Sequence, residues 1–229
     1  MGWQYLFFII GMSLSLFAQL KVRSSFNKYG KVLSRSGYTG FQAARRALDE
    51  NGLWDVQVER VGGTLTDHYS PREKILRLSD ATHDSRSVAA IGVALHEVGH
   101  AMQDKEGYVA NKIRSALLLP ANIGSQFGPI LAMIGLMMQS MLGDALLNVG
   151  IAFFAASVLF YLVTLPVEFN ASRRAMALIS QTGVLADDEM TGARSVLSAA
   201  ALTYVASALT AVLYLLRFIL MASSSRRRR

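Results

Sequence analysis

The sequence predicts an α+β chain, mostly helical, with a small sheet and three to four transmembrane helices. Three observations carry this reading. Hydrophobic residues fill 52% of the 229 positions and mean hydropathy is +0.32, too apolar for a soluble domain of this length. The apolar residues gather in runs long enough to cross a bilayer. Between the first and second runs, a polar stretch reads as helix, strands, and then a helix bearing His96-Glu97-Val98-Gly99-His100.

The elements follow in order. Trp3 to Leu20 carries no charge and is followed by Lys21, Arg23, Lys28, Lys31 and Arg35. It lacks the basic leader of a cleaved signal peptide, so residues 1–20 read as a retained transmembrane anchor. Residues 21–115 form the polar core. Thr39 caps a helix through Phe41, Ala44, Ala47 and Leu48 that closes at Asn51-Gly52. Val56, Val58 and Val61 alternate as a strand. Thr64–Tyr69 and Lys74–Leu78 read as a hairpin around Ser70-Pro71-Arg72-Glu73. Asp84, Ser85 and Ser87 offer caps for the motif helix, which runs through Ile91, Leu95 and Val98 and ends near Glu106-Gly107.

Residues 116–165 read as a transmembrane helical hairpin turning at Met141–Asp144, its first arm interrupted by Pro120 and Pro129. Residues 166–195 are polar again, with a helix starting at Pro166 and a further helix opened by Asp187, Asp188 and Glu189. Residues 196–221 form a last apolar helix containing Arg217, and residues 222–229 a basic tail ending in Arg226–Arg229.

The formal charge of +7 is clustered, which fits membrane topology better than nucleic-acid binding. Residues 21–115 hold 15 Lys and Arg and residues 166–195 hold three, whereas the N-terminal run and the 141–144 turn hold none. The positive-inside rule places residue 1 outside and the core in the cytoplasm, in an integral protein of the plasma or inner membrane. The last run conflicts with the rule if it crosses, because Arg226–Arg229 then lie outside. A re-entrant or interfacial course, or arginines foreign to the native chain, would remove the conflict.

The chain has no cysteine, so any metal site uses histidine and carboxylate, which suits a catalytic zinc better than a structural one. Residues i and i+4 share a helix face, so His96 and His100 can bind one ion. Glu97 beside them can take a proton from an activated water, as in zinc-dependent peptidases. The competing reading is two core histidines on a buried helix. A catalytic zinc needs a third protein ligand. His83 reads as a turn residue, and His68 as a strand residue that lines the cleft or faces solvent. Glu168 is the stronger candidate, because it returns to the same membrane side after a span. Its alternative role is to complement the dipole in the first turn of a helix beginning at Pro166.

The stretches "VALHEVGHAMQD", "LTDHYSPREKILRLS" and "LPVEFNASRRA" together resemble the YugP-type zinc-dependent membrane peptidases, the Zn-peptidase-2 family. That family is similar in plan to the HtpX-type proteases. The resemblance covers most of the chain. It implies a gluzincin-like, that is zincin-type, fold, one zinc ion per chain, His96, His100 and Glu168 as ligands, and Glu97 as catalytic base. The chain departs from the family pattern at Asn170, where Asp is expected. Asparagine accepts a hydrogen bond without bringing charge, so Asn170 and Ser172 are both candidates to orient a ligand histidine. His68, Arg173 and Arg174 are candidates for stabilising an oxyanion or contacting substrate, although arginines at a membrane boundary also anchor lipid phosphates.

The function this implies is a membrane-embedded zinc endopeptidase acting on protein or peptide substrates within a lipid bilayer, with no nucleic-acid partner. The alternative is a catalytically inactive membrane zinc-binding or scaffold protein. A metal transporter would need His96 at membrane depth, against the charged Asp80, Asp84, Arg86, Asp104, Lys105 and Glu106 that flank the motif.

Overall fold

In a computed structural model that describes residues 2–138 and 140–226, the elements run α1 (Gly2–Tyr29), α2 (Gly40–Glu50), β1 (Gln57–Val61), β2 (His68–Ser70), β3 (Ile75–Ser79), α3 (Asp80–His83), α4 (Val88–Lys105), α5 (Val109–Met138), α6 (Met141–Thr182) and α7 (Met190–Arg226). Contacts divide the chain into two units. One comprises Met1–Phe17, Lys112–Pro166 and Thr203–Arg229; the other comprises Ala18–Asn111 and Val167–Leu202. The chain is mostly helical with one small three-stranded sheet.

In the second unit, local chemistry sets each boundary. Thr39 and Gln42 form a reciprocal capping box that starts α2, and Gly52 (φ +66) follows its end. Ser87 caps α4 by accepting from the Ala90 amide at 3.1 Å, and Gly107 (φ +64) takes the left-handed turn beyond it. The sheet order is β1-β3-β2, with β1 parallel and β2 antiparallel to β3. Central β3 buries Leu76 and Leu78 on one face and aims Arg77 at Glu73 (2.7 Å) and Glu59 (3.4 Å) on the other. The expected strand at 56–61 is observed from Gln57. The hairpin's first strand begins only at His68, because the chain turns through Leu65 at φ 59. Beneath the sheet, α2, α4 and the second-unit part of α6 enclose one core: Ala44, Leu48, Leu76, Ile91, Leu95, Val98, Leu178 and Ile179 are among its fully buried members. Asp104, near the end of α4, accepts from Tyr69 Oη (2.9 Å) and Lys74 Nζ (2.6 Å) and so ties the hairpin to the motif helix.

The first unit holds the α5–α6 hairpin, whose helices approach at glycines. A Cβ on Gly124 would stand 2.0 Å from the Phe153 carbonyl oxygen, and one on Gly150 would stand 2.5 Å from the Ala132 amide nitrogen. Small residues that bring backbones together are the common packing device where lipid removes the hydrophobic drive. Four helices, α1, α5, α6 and α7, are long and apolar enough to cross a membrane among the described residues.

Three expectations need correcting. Met141–Asp144 do not form the turn of the hairpin; they are the first turn of α6, capped by Ser140 Oγ accepting from the Gly143 amide (3.1 Å). No helix starts at Pro166, because α6 runs through it, so Glu168 lies in mid-helix and not in a first turn. Glu189 does not open α7 from within; its carboxylate closes the preceding loop by accepting from the amides of Ala186 and Arg35, each at 2.9 Å. Of the basic tail, residues 227–229 lie outside the described residues.

Two measurements test this packing. Gly124→Leu should cost about 3 kcal/mol of stability through overpacking, read as a lowered thermal midpoint in detergent. Burial and the bond to Asp104 hold the Tyr69 hydroxyl above its ordinary range. A group whose folded pKa is raised adds stability below its unfolded pKa, near 10, and loses it as pH rises further. Tyr69→Phe should therefore lower stability by about 1 kcal/mol at neutral pH, and the gap to wild type should close in strong alkali. A gap that widens there would contradict the assignment.

Candidate metal centre

The centre is built from two helices of one unit, α4 and the part of α6 after Pro166. Along α4, the 3.6-residue repeat buries Leu95 and Val98 in the core and sets His96 and His100 on another face, their ring centroids 4.8 Å apart and nearly perpendicular. Gly99 decides how near α6 can come. A Cβ there would lie 2.6 Å from the Ala171 carbonyl oxygen, so only glycine permits this approach. It brings Glu168 Oε2 to 3.3 Å from His96 Nε2 and 3.6 Å from His100 Nε2. The ligand atoms of all three residues lie within 4.8 Å of one another. Glu168 is 2% exposed and Glu97 8%.

The donor set fits a tetrahedral divalent ion. Donors about 2.1 Å from such an ion stand roughly 3.4 Å apart, close to both observed carboxylate–imidazole separations. Two neutral nitrogens and one carboxylate oxygen, without sulfur, match the ligand chemistry of catalytic zinc. Burial by itself would lower the pKa of His100. The hydrogen bond to Glu168, the charges of Glu97 and Glu168, and the bond to Gln103 outweigh it and raise that pKa.

The remaining candidate residues divide. Ser172 Oγ lies 3.2 Å from His96 Nδ1. Asn170 touches neither histidine; its Oδ1 accepts from Arg174 Nε (2.7 Å) and Gln103 Nε2 (2.9 Å). Arg174 pairs through both terminal nitrogens with Glu106, each at 2.6 Å, and holds that carboxyl below its usual range. Its guanidinium is thus turned to protein carboxylate and amide groups. Arg173 and His68 are exposed, and His68 Nδ1 bonds the Thr66 carbonyl oxygen at 2.9 Å. His83 ends α3 with Nδ1 2.7 Å from Asp84 Oδ1 and its ring beside Phe41. Sequence reasoning missed Gln103, fully buried one turn after His100, whose Oε1 accepts from His100 Nδ1 at 3.0 Å. A polar residue inside the apolar repeat of α4 was the available signal.

Gly99→Ala should cost about 1–3 kcal/mol of stability and lower the zinc content of the purified protein, read by metal analysis; unchanged content would mean that α4 and α6 need no such close approach.

Comparison with known proteins adds the family. No solved structure matches the chain. It is 48% identical over 218 residues to "Putative membrane protease YugP" of Bacillus subtilis (strain 168), covering 95% of this chain and 96% of that protein. The family described as "Putative neutral zinc metallopeptidase" matches residues 4–223. The chain belongs to that zinc metallopeptidase family.

Proposed function

We propose that the chain is a membrane-embedded zinc endopeptidase with a gluzincin-like core, in which His96, His100 and Glu168 hold one zinc ion and Glu97 is the general base. The observation that carries this is the convergence of the two motif imidazoles on one buried carboxylate 68 residues further along the chain from His100. The fold supports it: the motif helix lies against a small sheet, and the third ligand comes from a helix that also forms part of a membrane-capable hairpin.

Bound there, zinc would polarise the scissile carbonyl and make water more acidic. The protein's own residues do the rest. Glu97, next to His96 and almost wholly buried, accepts the proton of the attacking water and returns it to the leaving amine. Its low exposure keeps competing water away and strengthens its electrostatic effect. Ser172 and Gln103 hold the imidazoles from behind. Among the described residues, the outer strands β1 and β2 each keep one side without a partner strand in the three-stranded order, and an extended peptide can add to such an edge.

The chain reads as spanning the bilayer with α1, α5 and α6, with residues 21–115 and 166–195 in the cytoplasm; α7 is also long and apolar enough to cross. The concentration of Lys and Arg in those segments supports this orientation.

Glu97→Gln should lower hydrolysis of an unfolded protein substrate by about 10²–10⁴-fold while leaving zinc content at wild-type level, and Glu168→Ala should lose zinc. Equal zinc in wild type and Glu168→Ala would reject the third ligand. Zinc bound without hydrolysis by wild type would favour the scaffold reading.

A further inference from the structure

We infer that Gln103 is a positioning residue that fixes the tautomer and orientation of His100, and that it is itself held by a directional relay ending at the Arg174–Glu106 pair. This rests on the reading of His100 as a zinc ligand.

The argument is one of donor and acceptor polarity. Gln103 is fully buried. Its Nε2 meets two oxygens, the Val167 carbonyl at 2.8 Å and Asn170 Oδ1 at 2.9 Å. Turning the amide over would set Oε1 against both, with no proton between them, at the penalty for unsatisfied buried groups. Oε1 is therefore committed to the His100 side, where Nδ1 stands 3.0 Å away. A carbonyl oxygen only accepts, so Nδ1 carries the hydrogen and the lone pair of a neutral His100 sits on Nε2, the atom nearest Glu168.

The Asn170 amide is fixed in the same way. Its Oδ1 receives Arg174 Nε at 2.7 Å, and a guanidinium only donates. Arg174 is clamped by both oxygens of Glu106. The sequence of groups runs from an obligate acceptor, through an obligate donor and two amides, to the imidazole, and each link has one allowed direction. His96 lacks such a device, since the Ser172 hydroxyl can donate or accept. The relay also explains how Asn serves at position 170: its oxygen is the working atom.

The test uses the full chain in detergent, with zinc affinity from chelator competition and the visible absorption of the cobalt-substituted protein. Gln103→Met should bind zinc about 10–100-fold more weakly and shift the cobalt bands, because ring orientation changes. Asn170→Leu, which leaves Gln103 in place, should shift them the same way and serves if Gln103→Met does not fold. Asn170→Asp preserves the acceptor and should keep wild-type affinity and bands. Leu48→Ala, a core truncation on α2, which carries no member of the relay, should lower thermal stability without moving either readout. Wild-type affinity and bands in Gln103→Met, or in Asn170→Leu, would overturn the relay, as would equal weakening by Leu48→Ala or by Asn170→Asp. Wild type that binds no zinc would instead overturn the metal centre itself.

Discussion

The contact on which the rest depends is backbone against backbone, at Gly99 and Ala171. A metal centre needs its ligand atoms within a few ångströms, and two helices carrying full side chains pack 8–10 Å apart between axes. With no Cβ at Gly99, the carbonyl of Ala171 comes to where that atom would stand. This closeness lets short reaches from His96, His100 and Glu168 meet. Glycine weakens the interior of α4 by about 1 kcal/mol relative to alanine, an intrinsic cost offset by the tightly packed core beneath it.

Around that contact the second unit sets two large, fully buried polar side chains, Glu168 and Gln103. Glu168 faces both imidazoles, and Gln103 bonds that of His100. Buried polar groups are tolerated where each finds its partner, and here the partners are arranged in sequence from the surface pair Arg174–Glu106 inward. A surface ion pair on its own contributes little; this one acts through the geometry it imposes on Asn170 and, beyond it, Gln103. The same helix ties outward to the sheet through Asp104, so hairpin, motif helix and carboxylate helix share a common set of anchors.

Much of this was legible in the chain itself. The Thr39 and Ser87 caps, the hairpin arm through Leu76 and Leu78, and the i, i+4 histidines follow from local rules that tertiary context did not override. Glu168 was legible as a candidate because it follows a span and returns to the membrane side of His96. Its setting was not: Pro166 reads as a helix start, yet it is accommodated inside α6, where the first-unit part of the helix precedes it without a break. A membrane helix tolerates proline when neighbouring groups satisfy the freed carbonyl. Gln103 was illegible because a lone glutamine on a helix carries no periodic signal, and its meaning appears only when Val167 and Asn170 arrive from another part of the chain.

The length of α6 acts as a ruler. At about 1.5 Å per residue its 42 residues extend to about 63 Å, twice the roughly 30 Å of a bilayer's hydrocarbon. A helical path of that length exceeds a single crossing. Counted from Met141, Glu168 comes about 40 Å along the path, more than one crossing uses. The proposed hydrolysis consumes water as a reactant, and a ligand so far along the path would meet its ion where that reactant is plentiful.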